Sequence, residues 1–382
     1  MYKDITKKEF LDVGLIGFGG IGKFHAEVYD KLLKEDSISP KPRIKAILRK
    51  NISQDKKLIE KFGAPLVTNS EAEFFNQNLD LVDICSPNNM HLSQIKKTVE
   101  NNVKVIYCEK PLGLDLQEAK DIEDLANSIH AITQTGFIFR YFPALQQMRQ
   151  KIIRGQIGEP FHFFLRMYKG SYLDENRPYS WRLNKASAGG GALTDLGIHL
   201  IDLLRFLMGN VDWIQCKTKT CISERKSVSD SSIIKVVDVD DWALCTIGME
   251  NGACGSLEVS RVAGGKEGDV KIEVFGSKGS VEASFLDPGH ANYYNQDSSK
   301  SQACTSRFGS SIVDSLMRTA KDIDDYFFAA HLESIYNILN CIKENKESDI
   351  SFNSGLKAQE VLEAAYFSDE HNGKRVFLPL DL

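Results

Sequence analysis

The chain has 382 residues, enough for two domains or one large one, with 42% apolar residues and a formal net charge of -5. It contains no long basic run and no alternation of basic and aromatic residues, so a nucleic-acid partner has no support. No apolar stretch approaches the roughly 20 residues that span a bilayer, and we expect no membrane association. The first twelve residues lack an apolar signal core, so we expect a cytoplasmic protein.

The cysteines and histidines are scattered along the chain. None of the eight cysteines belongs to a CxxC pair, which fits reduced thiols better than a disulfide framework. The eight histidines form no HxxH or HExxH pattern. The sequence therefore predicts no metal site.

A nucleotide-binding signature lies near the start of the chain. Residues 11–16 predict a buried strand, and the turn after it, Gly17-Phe18-Gly19-Gly20-Ile21-Gly22, matches GxGxxG ahead of a predicted helix. The first glycine permits the tight turn, the second lets the backbone approach a pyrophosphate, and the third lets helix and strand pack closely. The helix N-terminus favours an anionic ligand. We therefore predict dinucleotide binding by this turn.

Strand and helix patterns alternate up to residue 135. The further predicted strands are 43–48, 81–85, 103–107 and 131–135. Repeated β-α units indicate a parallel, doubly wound sheet, in which ligands bind beyond the carboxyl ends of the strands. Ser86, Pro87 and the turn Glu109-Lys110-Pro111 should therefore lie along one edge with the glycine turn.

The end of the second predicted strand bears on the choice between NAD and NADP. A carboxylate there accepts hydrogen bonds from the adenosine ribose, whereas a basic residue suits a 2′-phosphate. Arg49 and Lys50 occupy this end, and the first acid is Asp55. Two solvated loop cations are the alternative interpretation. We predict that NADP(H) is favoured over NAD(H), because both cations match a phosphate dianion.

Two segments carry candidates for proton transfer. Lys110 follows a strand and faces the predicted crevice, where burial and neighbouring charge can lower the pKa of a lysine. After three glycines at 189–191, Asp195, His199 and Asp202 stand at i, i+4 and i+7, on one face of a predicted helix. A carboxylate one turn before a histidine can present the imidazole for proton transfer. The alternative is a partly buried helix whose polar residues are only hydrogen-bonded.

These motifs together resemble the Gfo/Idh/MocA family, named for glucose–fructose oxidoreductase, inositol dehydrogenase and a rhizopine-catabolism protein. The resemblance covers nearly the whole chain. The motifs that carry it are the glycine turn 17–22, Ser86-Pro87 with His91, Glu109-Lys110-Pro111, Trp181-Arg182, Gly189-Gly190-Gly191, the spacing of Asp195 and His199, and Gly276-Ser277-Lys278-Gly279.

The family resemblance implies an α/β fold of two parts. An N-terminal Rossmann domain with a doubly wound parallel sheet, placed at 1–136, would bind the dinucleotide. A C-terminal α/β domain with a largely antiparallel open sheet, placed at 137–382, would bind substrate and mediate oligomerisation, and its last helices would be able to pack back on the first domain. Residues 287–325 are polar and poor in apolar residues, which predicts a variable loop or lid. The strands predicted in the second domain are 161–167, 233–237, 242–247, 255–260, 270–275 and 279–283.

The resemblance also implies a chemistry: an NAD(P)-dependent dehydrogenase or reductase. Hydride would pass between nicotinamide and a secondary alcohol or hemiacetal carbon of a sugar, sugar derivative or cyclitol. Lys110, Asp195 and His199 would surround the reacting carbon. His199 is the first choice as base, although the sequence leaves the choice between His199 and Lys110 open.

Further residues and two other functions complete these expectations. His91 and Glu109 are expected to help bind the cofactor, and Trp181, Arg182 and Tyr168 to contact substrate; a core tryptophan beside a surface arginine is the alternative. A non-catalytic nucleotide-sensing regulator or binding protein, and a glycosidase that oxidises its sugar transiently, stay open as alternatives.

The expected partners are a small polyol or sugar and further copies of the chain. A homodimer or homotetramer is expected because the predicted strand 161–167 has aromatic residues on both faces. Coverage of the second face by a C-terminal helix is the alternative.

Overall fold

The first part of the computed structural model is a six-stranded parallel sheet with helices on both faces. The residues that the structure describes are 7–63, 65–228, 230, 232–296, 300–303, 309–317 and 320–380. The strands run in the order β3-β2-β1-β4-β5-β6. The elements are β1 Phe10–Ile16, α1 Gly20–Leu33, β2 Lys41–Leu48, α2 Lys56–Glu60, β3 Leu66–Thr68, α3 Glu71–Phe75, β4 Leu81–Ile84, α4 His91–Glu100, β5 Val105–Cys108, α5 Leu116–Ser128 and β6 Ile132–Thr135.

The prediction of a doubly wound parallel sheet is confirmed, with one strand missed. Strand β3 has three residues and pairs only at the edge of the sheet, beside β2. Three residues are too few to show the alternation of apolar and polar residues that is typical of a strand. The sequence therefore predicts five strands instead of six.

The second part contains a nine-stranded mixed sheet. Its order is β16-β15-β14-β13-β7-β12-β11-β8-β17, in which β7 and β12 form a parallel pair and the other neighbours are antiparallel. The elements are α6 Pro143–Ile153, β7 Pro160–Lys169, α7 Lys185–Ala188, α8 Ile198–Met208, β8 Val211–Lys219, β9 Glu224–Lys226, β10 Ile234–Val236, β11 Trp242–Met249, β12 Cys254–Ser260, β13 Glu267–Gly276, β14 Gly279–Ser284, β15 Asp287–Asn295, β16 Lys300–Ala303, α9 Ser311–Leu316, α10 Ile323–Glu344, α11 Phe352–Glu370 and β17 Val376–Phe377. The largely antiparallel open sheet is therefore confirmed.

One prediction about this part was confirmed only in part, and one was wrong. The strand predicted at 233–237 is present as β10, but it forms a separate hairpin with β9 instead of joining the large sheet. The segment 287–325 is not a loop, since it contributes β15, β16, α9 and the start of α10; within it, 297–299, 304–308 and 318–319 lie outside the described residues. Strand β15 escaped notice because its buried positions are small or aromatic residues, such as Ala291 and Tyr293, which alternate with Asn292 and Tyr294.

The C-terminal helices connect the two sheets. Helix α10 shares one hydrophobic cluster with α1 and β1 of the parallel sheet, and α11 packs against both α5 and β8. Buried polar contacts reinforce this: the Tyr107 hydroxyl lies 2.9 Å from Ser334 Oγ, and Gln134 Nε2 donates to the same oxygen at 2.9 Å. The carboxyl ends of the parallel strands are thereby held beside the inner face of the large sheet. The domain limit at 136 stays a prediction.

Among the described residues, none of the helices combines the length and apolar character that a membrane crossing requires.

Candidate active site

One cavity of about 1280 Å³ runs along the carboxyl edge of the parallel sheet and on to the inner end of β7 and α8. Of the residues singled out from the sequence, those that line this cavity are Gly17, Phe18, Gly19, Gly20, Ile21, Arg49, Lys50, Ser86, Pro87, Glu109, Lys110, Pro111, Trp181, Arg182, Gly190, Asp195 and His199. Motifs separated by more than 170 residues thus meet at one site.

The glycine turn has the shape that a dinucleotide needs. Gly17 has φ +89°, and a Cβ atom on it would come within 2.8 Å of Cys85 O. A Cβ on Gly22 would lie 2.1 Å from Gly17 O, so only glycine lets α1 approach β1 here. Gly19 and Gly20 line the cavity, and a Cβ on either would meet open space. The backbone is therefore accessible to a pyrophosphate at the start of α1.

Lys110 and Asp195 form an ion pair across the cavity. Lys110 Nζ donates to Asp195 Oδ1 at 3.0 Å and to the Asp195 backbone oxygen at 2.8 Å. Burial of Asp195 opposes its ionisation, but the nearby cations Lys110 and Arg182 outweigh burial and hold its pKa below the usual range. Asp195 is consequently a carboxylate, and Lys110 is fixed at two oxygens with its ammonium group toward the cavity.

The segment bearing Asp195 differs from the α-helix expected there. Residues Leu193–Gly197 form a turn of π-helix, and the α-helix α8 begins only at Ile198. Asp202, which was expected on the same helix face as Asp195 and His199, does not line the cavity. Its carboxylate accepts a hydrogen bond from Arg140 Nε at 2.8 Å instead. A π-helical turn changes the angle between successive side chains and occurs frequently at functional sites.

Asp240 anchors this turn from behind. Its carboxylate accepts hydrogen bonds at 2.8 Å from the backbone N–H groups of Gly191 and Leu193 and from the Tyr366 hydroxyl. A Cβ on Gly191 would lie 1.9 Å from the Asp240 backbone oxygen, so the glycine is required for this approach. Asp240 therefore fixes where the turn begins and, through it, the position of Asp195.

His199 is nearly buried between aromatic rings. Its ring stacks on Phe139 with centroids 4.2 Å apart, and Phe137 meets it edge-on at 6.4 Å. Its Nδ1 atom has no hydrogen-bond partner among the described residues. Burial, followed by the charge of Lys110, lowers the pKa of His199 well below 6.5. The imidazole is therefore neutral near pH 7 and able to accept a proton.

A buried polar network lies behind Glu109. His25 Nδ1 is 2.9 Å from Asp83 Oδ2, and His25 Nε2 is 3.5 Å from Glu109 Oε1. Burial raises the pKa of Glu109, with the charge of His25 acting in the opposite direction. Ligating atoms of His25, Glu109 and His331 lie within 4.8 Å of one another. The expectation of no metal stays a prediction.

Three residues expected in the site do not line the cavity. Gly22 packs against Gly17 instead. His91 is buried, with Nδ1 3.0 Å from Pro111 O and Nε2 3.2 Å from Ser86 O, so it ties two cavity loops together from behind. Tyr168 points to the outer face of the sheet, where its hydroxyl donates to Glu258, because side chains alternate along β7.

Because side chains alternate along β7, the neighbours of Tyr168, Met167 and Lys169, point to the inner face, and both line the cavity. Lys169 was missed, although its place at the carboxyl end of a predicted strand is a signal that could have found it. Tyr172, Arg177 and Arg261 also line the cavity and were missed. They come from irregular segments whose course no periodicity reveals.

Comparison with known proteins agrees with this geometry. Residues 11–137 match the oxidoreductase family with an NAD-binding Rossmann fold, and residues 145–282 match the GFO/IDH/MocA C-terminal domain. Levoglucosan dehydrogenase of Pseudarthrobacter phenanthrenivorans is 32% identical over 289 residues, which are 71% of this chain and 73% of that protein. Myo-inositol 2-dehydrogenase of Thermotoga maritima is 29% identical over 272 residues, 71% of this chain and 74% of that protein.

A solved structure shows the same fold. Levoglucosan dehydrogenase in complex with NADH and levoglucosan superimposes with a TM-score of 0.86 at 26% identity, and the match covers 97% of this chain and 100% of that one. The two domain matches, the shared fold and the Lys110–Asp195–His199 cavity beside a dinucleotide turn lead to one conclusion: the chain belongs to the Gfo/Idh/MocA family of NAD(P)-dependent oxidoreductases.

Proposed function

We propose that this enzyme transfers hydride reversibly between nicotinamide and a secondary alcohol or hemiacetal carbon of a sugar, sugar derivative or cyclitol. The observation that carries the proposal is that the Lys110–Asp195 ion pair and a neutral His199 share one cavity with the glycine turn. The names of the relatives, a levoglucosan and a myo-inositol dehydrogenase, support ring-shaped polyol substrates.

The residues of this chain fit the cofactor. The open backbone at Gly19 and Gly20 would hold the pyrophosphate, and Ser86, Pro87 and Glu109 line the path from the glycine turn to Lys110. When bound, the nicotinamide supplies the hydride acceptor or donor. The protein contributes binding, orientation and the movement of the proton.

Proton transfer falls to His199 and Lys110. In the oxidative direction the substrate hydroxyl loses its proton as the carbon loses hydride, and the neutral imidazole of His199 is placed to accept it. Lys110 bonds the same oxygen and stabilises the negative charge that develops there. Asp195 holds the ammonium group in place and orients substrate hydroxyls. Trp181 and Arg182 contact the substrate or the nicotinamide end of the cofactor.

The preference for NADP(H) over NAD(H) is part of the proposal. Arg49 and Lys50 line the cavity at the end of β2. Arg49 stacks over Phe18, with its Cζ atom 5.3 Å from the ring centroid, and donates to Asp55 Oδ2 at 3.1 Å. Lys23 pairs with the same carboxylate at 2.9 Å. The negative charge of Asp55 is therefore already compensated by two cations, and both of its oxygens have partners. These contacts support a basic subsite for the 2′-phosphate of NADP(H). The ion pair of Arg49 with Asp55 would lower the affinity of this subsite for the phosphate.

Two further elements of the proposal concern the setting of the enzyme. We place it in the cytoplasm, supported by the seven described cysteines, all of which carry free thiols. We also propose a homodimer or homotetramer, formed through the outer face of the nine-stranded sheet.

The proposed function is tested in two steps. Thermal shift with NADH and NADPH, each against the protein alone, identifies the cofactor by the larger stabilisation. A panel of polyols and sugars is then assayed for reduction of the oxidised form of that cofactor. Turnover of ring-shaped polyols is expected; binding of the cofactor without reduction by any member of the panel would contradict the proposal.

A further inference from the structure

The cations at the substrate end of the cavity outnumber the carboxylates. Lysines and arginines that line it near Asp195 are Lys110, Lys169, Arg177, Arg182 and Arg261. Two of them have carboxylate partners: Lys110 pairs with Asp195 at 3.0 Å and Arg261 lies 3.5 Å from Asp241. For Lys169, Arg177 and Arg182, no carboxylate of the described residues lies within ion-pair distance. Three positive charges therefore face this space without an ion-paired carboxylate among the described residues, since Asp195, whose charge acts on Lys169 and Arg182, is already paired with Lys110.

Lys169 is the most informative of the three. It ends strand β7 on the inner face and is mostly shielded from solvent. Burial, together with the charges of Lys110, Arg182 and Arg177, lowers the pKa of Lys169, while Asp195 acts in the opposite direction. A partly buried ammonium group without a carboxylate partner is costly unless a ligand supplies the anion.

Arg177 and Arg182 are held in place by aromatic rings instead of carboxylates. The Cζ atom of Arg177 lies 3.8 Å from the centroid of Tyr172, and that of Arg182 lies 4.4 Å from the centroid of Trp181. Stacking fixes a guanidinium plane while leaving its N–H groups free to donate. Arg177 makes a long hydrogen bond of 3.5 Å to Ser171 O. Both side chains are thus oriented without being neutralised.

We propose that the physiological substrate is an anionic polyol, a sugar or cyclitol bearing a carboxylate or phosphate group, and that Lys169 and Arg177 bind that group. The inference rests on the proposed function, which supplies the hydroxyl chemistry at Lys110 and His199. The anionic group would lie beside the reacting carbon, because Lys169 is close enough to Lys110 and Asp195 for their charges to act on it. Charge-assisted hydrogen bonds to carboxylate or phosphate are the strong ones in proteins.

The test compares two anionic substrates with neutral counterparts that have the same sugar ring. Glucuronate, its methyl ester, glucose and glucose 6-phosphate are assayed with the wild type and the preferred cofactor. We expect the better of the two anions to exceed its neutral counterpart in kcat/KM by about tenfold or more, the usual scale for one charge-assisted contact. Comparison of glucuronate with glucose 6-phosphate shows which anionic group fits. A wild type that prefers the methyl ester and glucose overturns the inference while the proposed function stands.

Variants assign the preference to residues. Lys169→Met and Arg177→Met should each lower kcat/KM for the anion by about ten- to hundredfold and for the neutral sugars by a clearly smaller factor, so that the ratio of the two kcat/KM values falls. Lys169→Arg should retain most of the preference. Lys374→Met is the matched control, since Lys374 is exposed and does not line the cavity. Loss of NADH or NADPH affinity by the same factor in both variants would assign these cations to the cofactor and overturn the inference.

Calorimetry separates the two proposals. Glucuronate and glucose 6-phosphate are titrated into the complex of the enzyme with reduced cofactor. If an anion binds the wild type and its binding disappears in Lys169→Met, the anion subsite is supported. This holds even if no polyol is oxidised, a result that would contradict the proposed function but not the subsite. If neither anion binds the wild-type complex, the subsite does not exist.

Discussion

Lys110 and His199 are the two side chains on which the chemistry depends. We expect Lys110→Ala and His199→Ala each to lower turnover by at least about a hundredfold, the usual scale of lost acid–base catalysis. Cofactor affinity should change much less, because neither residue lies at the glycine turn. Steady-state kinetics with the best polyol, paired with titration of the reduced cofactor, checks both statements. Near-normal turnover in both variants would leave the helix that carries His199 with a structural role only.

The pH dependence distinguishes the two candidate bases. The base must be deprotonated for oxidation, and the pKa of His199 is held below 6.5 by burial and by Lys110. The acid limb of kcat/KM for oxidation should therefore lie below pH 6.5, since the imidazole stays neutral until the solution is more acidic than that. A profile that rises only in alkaline solution would instead exclude His199 as the base.

Arg49 should govern the choice of cofactor. Replacement of both Arg49 and Lys50 by Ala should weaken NADPH selectively, by a few kcal/mol at most, because charge-assisted contacts to the 2′-phosphate are lost. Asp55→Asn should have the opposite effect, since it frees Arg49 from its carboxylate partner. Dissociation constants for NADPH and NADH, measured for the wild type and each variant, give the ratio of the two affinities. An equal loss for NADH and NADPH, or a wild type that prefers NADH, is incompatible with this assignment.

Sequence and structure agree at residues whose local pattern is strong. The glycine turn and Lys110 were found because each follows a short buried strand, a context that places them at the edge of a parallel sheet. The sequence pattern predicts Tyr168, and not Lys169, as a residue of the site. A shift of one residue in a strand reverses which side chains face inward, and a strand with aromatic residues on both faces does not reveal its register.

At the scale of elements, the turn Leu193–Gly197 determines the geometry of the site. The sequence predicted a continuous α-helix, since its apolar spacing is compatible with one. The π-helical turn arises from contacts distant in sequence: Asp240 holds the N–H groups of Gly191 and Leu193, and Tyr366 from α11 completes the set. No local pattern encodes an anchor that lies 47 and 49 residues further along the chain than the N–H groups it holds.

We expect Asp240→Ala to destabilise the protein and to impair catalysis. Loss of the carboxylate leaves two buried backbone donors and the Tyr366 hydroxyl without this acceptor, which should lower the free energy of unfolding by about 2–4 kcal/mol. Turnover should fall with little change in cofactor affinity, because Asp195 loses its fixed position. Asp238→Ala is the matched control: its exposed carboxylate accepts from Lys185 N at 2.7 Å, and we expect its loss to cost less than about 1 kcal/mol. Equal denaturation midpoints and turnover for the two variants would refute the anchoring role.

At the scale of the molecule, the outer face of the nine-stranded sheet exposes several large apolar side chains. Along β7, Phe163 and Leu165 are buried inward, whereas Phe164 is 48% exposed on the other face. Leu244 and Tyr294, at 39% and 43%, are likewise exposed on strands β11 and β15. The alternative of coverage by a C-terminal helix fails for this face, since α11 packs with the buried cluster on the inner side. Because these side chains are exposed in the part of the chain that the structure describes, we expect a partner molecule to cover them.

The resulting prediction is self-association through this face as a dimer or tetramer. A symmetric partner would bring the same sheet face against itself, and a stable interface needs roughly 800 Å² from each chain. Sedimentation at micromolar concentration should show a species at least twice the chain mass of 42.8 kDa. Phe164→Glu combined with Leu244→Glu should shift the distribution toward the monomer, because both place a carboxylate within the apolar contact. Val228→Glu serves as control, since this exposed residue lies beside the separate β9–β10 hairpin. A single species at the chain mass in the wild type would leave the sheet face without its proposed role.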